Sequence, residues 1–264
     1  MAAFGSYEDL GVELLDGHVA LVEIQRPPLN FFDHALIRAI ASAFEDLDKA
    51  DECRAIVLAA QGKAFCAGAN FAEPRPQDDA ALGNVQPTHL YQEAVRLYRT
   101  QKPVVGAIHG AAIGGGLGLA MMPDFRVTCP EARFAANFTR LGFHPGFGLT
   151  YTLPRLIGPT KAALVFYTSR RFKGDEAVEM GMADLLVPQE KVRDAALELA
   201  REIAENSPLG LLATRATMRA GLADAVKAAT DRELVEQNRL KTTEDFAEGV
   251  KATAERRVPN FKGR

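Results

Sequence analysis

The sequence predicts a mixed α/β fold that ends in a purely helical region. Three observations carry this. Short β-rich runs alternate with segments of helical period through the first half, one buried strand runs into three consecutive glycines, and the chain beyond residue 206 shows only helical patterning. The first strand covers residues 18–25 (HVALVEIQ). Asp33 then opens a helix to Asp48, in which Ala35, Leu36, Ile40, Phe44 and Leu47 recur on one face. Residues 55–60 (AIVLAA) form the next strand, so strand, helix and strand make a βα repeat. Residues 73–87 (EPRPQDDAALGNVQP) hold three prolines and three acids among little apolar content. They read as a mobile loop of lid-like length, with Glu73 and Asp78 available to fold over a site. Two further strands follow at 104–108 and 125–128. From Ser207 the pattern is helical, over 209–222 and then 223–256, opened by Pro208 and closed by Pro259. Leu234, Phe246 and Val250 are too sparse to close a core there, so this region packs on the main body or on another subunit. The division is a core at 1–206 and a helical region at 207–264.

Composition narrows the function by exclusion. The 264 residues carry 31 Lys+Arg against 34 Asp+Glu with no polybasic run, which gives a nucleic-acid or anionic-membrane partner no electrostatic support. No window reaches the roughly 18 apolar residues of a membrane span. The amino terminus, MAAFGSYEDLGVELL, has early acids and reads as neither a secretory nor a transit peptide. Cys53, Cys66 and Cys129 form no C-x-x-C pair, which suits a reducing compartment and predicts a cytoplasmic location. None of Ser6, Ser42, Ser169 and Ser207 lies in G-x-S-x-G, and no two histidines stand four apart as a metal pair. A soluble small-molecule protein remains, and its 34 carboxylates look like ample stock for acid/base work.

The most informative segment is residues 106–127 (GAIHGAAIGGGLGLAMMPDFRV). Gly114, Gly115 and Gly116 precede an apolar helix, so backbone N–H groups can approach a ligand oxygen closely while the helix dipole favours negative charge. It is no dinucleotide fingerprint, because Leu119 stands where the last glycine would be, and no P-loop, because no G-K-[ST] follows. Close packing is the competing reading of the same glycines. Residues 62–71 (GKAFCAGANF) form a second small-residue turn, in which Ala67, Gly68 and Ala69 leave amides uncovered and Lys63 supplies a nearby cation. Cys66 there is either a nucleophile, which needs a base partner, or a buried structural thiol.

Together these segments resemble the crotonase, or enoyl-CoA hydratase/isomerase, superfamily over nearly the whole chain. The family's G-x-A-F-(S/C)-A-G-A-D turn is matched at 62–70, its N-G-x-A-x-G-G-G-x-E-L-A stretch at 109–120, and its L-G-x-x-P-G-x-G-G-T-x-R-L run at 141–153. A tail of E-D-x-x-E-G, a basic pair and P-x-F-x-G is matched by residues 244–249, Arg256-Arg257 and 259–263. The resemblance implies a spiral of ββα units, a helical carboxy-terminal region that assembles a homotrimer or a dimer of trimers, and an acyl-CoA thioester as substrate. CoA is part of that substrate, so no separate cofactor or metal is expected. The backbone N–H groups of Ala69 and Gly115 would form the oxyanion hole, with Gly68 and Gly114 beside them. The Ala67 carbonyl would meet the adenine, and Lys63 or Lys262 the phosphates.

The chain departs from the family where a hydratase carries two glutamates. The first belongs in G-G-G-x-E-L-A, where Gly118 stands, and the second in F-x-x-P-E-I-x-L-G, where Phe138 stands. No Asp or Glu lies between Glu131 and Asp175, so no small slip in register restores a carboxylate. His144 in G-F-H-P-G can titrate near neutrality and is the candidate replacement, against a backbone-bonded histidine as the plainer reading. His109 reads as holding a strand end, and Asn137, Arg140 and Tyr151 are polar neighbours of undecided direction. Phe138, Phe143 and Phe147, with Gly118 opposite, read as a dry, reshaped substrate pocket or as core packing. The expected activity is that of a lyase or isomerase on CoA thioesters, by decarboxylation, isomerisation or deacylation. The alternatives are a catalytically silent acyl-CoA-binding protein and an ordinary hydratase that uses His144.

Overall fold

The computed structural model describes residues 2–70 and 90–264. The expected loop at 73–87, with Glu73 and Asp78, lies outside the described residues. The chain opens with β1 (Ala2–Ala3), β2 (Leu10–Leu15) and β3 (Val19–Ile24), and β2 and β3 pair antiparallel with Leu10 opposite Ile24 and Leu15 opposite Val19. α1 (His34–Lys49) starts where the Asp33 carboxylate accepts the Leu36 N–H at 2.9 Å, and Arg26 fixes that carboxylate by an ion pair of 2.8 Å. Its Leu36, Ile40, Phe44 and Leu47 are fully buried, as the helical period marks, while Ala35 is only half-buried and Ile37 takes a place in the core.

Three repeated turns follow. β4 (Ala55–Ala60), β5 (Ala64–Cys66) and α2 (Leu90–Tyr98) make the first, and β6 (Val104–Ile108), β7 (Ala111–Ile113) and α3 (Gly115–Met121) the second. β8 (Phe125–Thr128), β9 (Arg133–Ala135), a 3-10 turn at Thr139–Leu141, α4 (Leu149–Ile157) and α5 (Pro159–Thr168) make the third. β10 (Phe172–Lys173), α6 (Gly174–Met180), β11 (Leu185–Leu186) and α7 (Val192–Ala204) complete the core. In each turn the first strand joins a seven-stranded sheet, ordered β1-β2-β3-β4-β6-β8-β11, and the second joins a four-stranded sheet, ordered β10-β9-β7-β5. Pairing is parallel from β3 to β11 and from β5 to β9. The result is a spiral of ββα turns. All residues of β3, β4 and β6 are buried, so these strands read as near-continuous apolar runs, broken only by Glu23 in β3, instead of alternating ones.

The helical region holds α8 (Pro208–Met218), α9 (Leu222–Leu240) and α10 (Glu244–Ala254). The single helical stretch expected over 223–256 is broken before Thr243, whose side chain accepts the Phe246 N–H at 3.1 Å and starts a new helix. α9 packs on α2 and α4, and α10 packs on the 3-10 turn. Two glycines permit that second contact. A Cβ at Gly249 would lie 2.5 Å from the Leu141 carbonyl carbon, and one at Gly142 would lie 2.5 Å from the Asp245 oxygen.

The acids of the tail motif hold the last residues in place. Asp245 accepts the N–H groups of Lys262 (2.6 Å) and Gly263 (2.8 Å), and Glu248 accepts that of Asn260 (2.7 Å) while pairing with Arg257. Hydrogen bonding to Arg257, then to the Asn260 N–H, depresses the Glu248 carboxyl from its ordinary 4.5 to about 2. A depressed carboxylate stabilises the fold above its unfolded value and loses that contribution as pH falls. The Glu248 contribution therefore fades between pH 4.5 and about 2. An NMR titration of the Glu248 side chain is expected to centre near the lower value and to move up in Arg257→Ala. An unshifted midpoint in the native chain would contradict the pairing.

Candidate active site

The two small-residue turns come together at the N-terminal end of α3. Gly114 is its N-cap, with φ 58°, a conformation that favours glycine, and its N–H bonds the Ala135 carbonyl at 2.8 Å. The other turn is anchored from behind, where Ala67 N–H donates to the Leu29 carbonyl and Phe32 N–H to the Gly68 carbonyl, each at 3.0 Å. Gly68 has φ 81°, and a Cβ there would lie 2.7 Å from the Ile113 oxygen and 3.6 Å from the Gly115 nitrogen. That close approach brings the residue after Gly68 to the start of the helix. Among the described residues, neither the Ala69 nor the Gly115 N–H has an acceptor. Ala69 is exposed and Gly115 half-buried. A helix N-terminus adds its partial positive charge to the Gly115 donor.

Around these donors the wall is aromatic. Phe32, which sequence reasoning missed, lies against Gly115 so closely that a side chain at 115 would overlap its ring. Its ring centroid is 5.9 Å from that of Phe147. Phe147 is fully buried, with φ 66°, and a Cβ at Gly118 would stand 2.6 Å from its Cβ and 2.7 Å from its Cγ. The space beside Gly118 is therefore filled, and it is Phe147, not Phe138, that fills it. Phe138 sits instead over Gly114, together with the Asn137 Oδ1. It stacks edge-on with Phe143 at 5.5 Å, and Phe143 with Phe246 of α10 at 5.3 Å. The missed Phe32 had a signal, since it immediately precedes the cap of α1 and so has its direction fixed by the helix start.

His144 is half-buried, and its Nδ1 lies 2.8 Å from the Pro145 carbonyl. A carbonyl only accepts, so Nδ1 carries the proton and Nε2 is left as the basic nitrogen. His109 Nε2 lies 3.1 Å from the Gly62 carbonyl, holding the end of β6 to the preceding turn. Burial pushes the Cys66 thiol up to about 12, so it stays protonated and serves packing. Lys63 and Arg140 are exposed, and Asn137 and Tyr151 half-buried. Among the described residues no group of three or more His, Cys, Asp or Glu could hold a metal ion, and no helix is long and apolar enough to cross a membrane.

The model of the enoyl-CoA hydratase/isomerase family matches residues 15–264. The chain belongs to the enoyl-CoA hydratase/isomerase family. A short-chain-enoyl-CoA hydratase of Clostridium acetobutylicum is 30% identical over 258 residues, covering 94% of this chain and 96% of that protein. Among solved structures, an enoyl-CoA hydratase/isomerase from Pseudoalteromonas atlantica superposes with a TM-score of 0.83 at 26% identity, over 97% of this chain and all of that one. A carnitinyl-CoA hydratase from Mycobacterium avium gives 0.81 at 28% identity, over 98% of this chain and all of that one.

In this hydratase/isomerase family member the segment from His144 into the first turn of α4 at Thr150 is held from behind by α9. Glu233, fully buried, accepts the Gly148 N–H at 2.7 Å, the Thr150 N–H at 2.9 Å and the Thr150 hydroxyl at 2.6 Å. Burial pushes its carboxyl above the usual range against the pull of those donors. One turn on, Gln237 Nε2 donates to the His144 carbonyl at 2.8 Å, and a side chain at Gly146 would collide with the Tyr91 hydroxyl. Sequence reasoning missed Glu233 and Gln237. Their signal is the helical spacing of the buried face Leu222, Val226, Thr230, Glu233 and Gln237, which turns polar at its end. Glu233→Ala strands three donors, each worth about 1–3 kcal/mol when buried without a partner. Urea unfolding is expected to show a loss of about 3 kcal/mol or more, and a loss near zero would remove Glu233 from the loop's support.

Proposed function

We propose that this chain binds an acyl-CoA thioester and holds its oxygen, as an enolate forms, between the N–H groups of Ala69 and Gly115, in a reaction other than alkene hydration. The observation that carries this is the pair of donors on adjoining turns that have no acceptor among the described residues, with no carboxylate at 118 or 138 and Phe147 in the space beside Gly118. Removing one oxyanion donor commonly costs on the order of 10² to 10³ in rate, so the pair alone is substantial catalytic machinery. Decarboxylation suits it best. Loss of carbon dioxide from a 2-carboxyacyl thioester leaves the bonding electron pair on the α carbon and the thioester oxygen, and no base is needed to create the enolate. Isomerisation moves a proton and needs His144 Nε2 or an equivalent base, and deacylation needs an activated water. The Ala67 carbonyl would take the adenine and Lys63 or Lys262 the phosphates, with no separate cofactor. The exposed apolar Leu164, Tyr167, Leu209 and Met218 would be covered in a homotrimer or dimer of trimers in the cytoplasm.

A second reading is ordinary hydration with His144 as the replacement base. It is favoured by the hydratase named among the relatives and by the His144 Nε2, which has no hydrogen-bond partner among the described residues. The two are separated by following three thioesters by mass spectrometry: a 2-carboxyacyl-CoA, a 3-enoyl-CoA and crotonyl-CoA. The first is expected to lose carbon dioxide and to gain deuterium at the α carbon in D2O, and Gly115→Pro to abolish this. Tight binding by calorimetry with turnover of none of them would leave a silent acyl-CoA-binding protein. Absence of binding would overturn every form of the proposal.

A further inference from the structure

Residues 26–33 (RPPLNFFD), between β3 and the first turn of α1, touch both of the turns that carry the Ala69 and Gly115 donors. On one side they run along the turn that ends in Ala69. The Pro28 carbonyl accepts the Lys63 N–H at 2.9 Å and the Ala64 N–H at 3.2 Å, the Leu29 carbonyl accepts the Ala67 N–H, and the Phe32 N–H donates to the Gly68 carbonyl. On the other side the Phe32 ring lies against Gly115. The end of β5 meets α3 directly, since a side chain at Gly116 would collide with the Cys66 carbonyl. The spacing of the two donors therefore follows from how residues 26–33 seat the turn at 61–69.

Asn30 pins the start of that turn. It is fully buried, with φ 50°, a left-handed conformation that asparagine tolerates better than most residues. Its Nδ2 donates to the Gln61 carbonyl at 2.5 Å and to the Ala64 carbonyl at 2.7 Å, and its Oδ1 accepts the Arg26 N–H at 3.0 Å. Both amide hydrogens and the amide oxygen are thus in use. The two carbonyls flank the left-handed Gly62 and lead into β5. An aspartate would turn an oxygen towards two oxygens, and an apolar residue would leave both carbonyls without this donor.

We propose that Asn30 is a positioning residue for the oxyanion hole: its amide fixes the start of β5 and, through it, the place of the Ala69 N–H relative to that of Gly115. The inference rests on the reading of those two N–H groups as donors to the thioester oxygen. Such donors act on an oxyanion over a narrow range, about 2.7–3.1 Å, and a misplacement of about 1 Å costs on the order of 10². A ground-state thioester, whose oxygen carries little charge, gains far less from that spacing than an enolate does.

The test uses acetoacetyl-CoA, which ionises to an enolate without a protein base and whose enolate is read by its own near-ultraviolet absorbance. The full chain is titrated with it, and with butyryl-CoA by calorimetry as a measure of ground-state binding. The native chain is expected to hold acetoacetyl-CoA as the enolate at a pH where the free ligand is mostly un-ionised. Asn30→Gly keeps the left-handed backbone and removes the amide. It is expected to lower the enolate-to-keto ratio of the bound ligand by about 10- to 100-fold while the butyryl-CoA affinity changes by less than about 3-fold. Asn30→Ser, whose hydroxyl can serve one of the two carbonyls, is expected to fall between, and it carries the comparison should Asn30→Gly fail to fold. An unchanged ratio, or a ratio and a butyryl-CoA affinity that fall together, would reduce Asn30 to a folding role and overturn the proposal. Failure of both variants to fold would do the same. A native chain that binds butyryl-CoA yet shows no enolate would remove the oxyanion hole itself, and this inference with it.

Discussion

Crotonyl-CoA mixed with the purified protein is expected to keep its enoyl absorbance, fading no faster than with Gly115→Pro. Hydration of the double bond needs one group to take a proton from water and one to deliver a proton to the α carbon. The positions at which the resemblance to the family expects them hold Gly118 and Phe138. Each such group contributes on the order of 10² to 10⁴, and groups that act as a unit do not multiply, so the deficit against a two-glutamate relative is on the order of 10⁴. Gly115→Pro removes the donor but also displaces the Phe32 ring. Phe32→Leu, which makes room and leaves the N–H intact, separates those two effects. Rapid loss of absorbance in the native chain would overturn the non-hydratase reading, and its disappearance in His144→Ala would identify the replacement base.

Restoring the first glutamate alone is expected to damage the fold without conferring hydration. In Gly118→Glu the new Cβ would stand 2.6 Å from the Phe147 Cβ, and the carboxylate beyond it would be buried. Overpacking costs about 1–3 kcal/mol, and an unpaired buried carboxylate adds several more. A total above about 3 kcal/mol lowers Tm by roughly 10 °C in a chain of this size. Phe147→Gly alone loses a buried aromatic, about 3–5 kcal/mol, partly offset by relief of its left-handed backbone. The double variant is expected to be less destabilised than the sum of the singles by at least about 1 kcal/mol, because the collision exists only when both side chains are present. A Tm unchanged in Gly118→Glu would show that Phe147 yields its space freely.

Much of this was legible before any coordinates. The strands at 55–60 and 104–108 were readable because they are buried on both faces, and that at 125–128 because it is short, β-rich and bounded by turn residues. The glycine turns were readable because few other sequences bring backbone donors into the open. The small sheet was not, since β5, β7 and β9 have three residues each, too few to display a period. β2 escaped because its alternation is blurred by Gly11 and the charged Glu13. The identity of the group beside Gly118 was hidden as well: three phenylalanines stand in the segment, and only the left-handed backbone at Phe147 decides which one turns inward. Glu233 was out of reach for another reason, being 85 residues from its partner Gly148, a distance that no local pattern spans.

That separation sets an order of assembly. The wall on the Phe138 side is finished by Phe246 against Phe143, and the loop from His144 to Thr150 is held by Glu233 and Gln237. All three supports come from α9 and α10, so the wall of the candidate site closes only once the helical region has docked on the core, whatever the order in which the two sheets form.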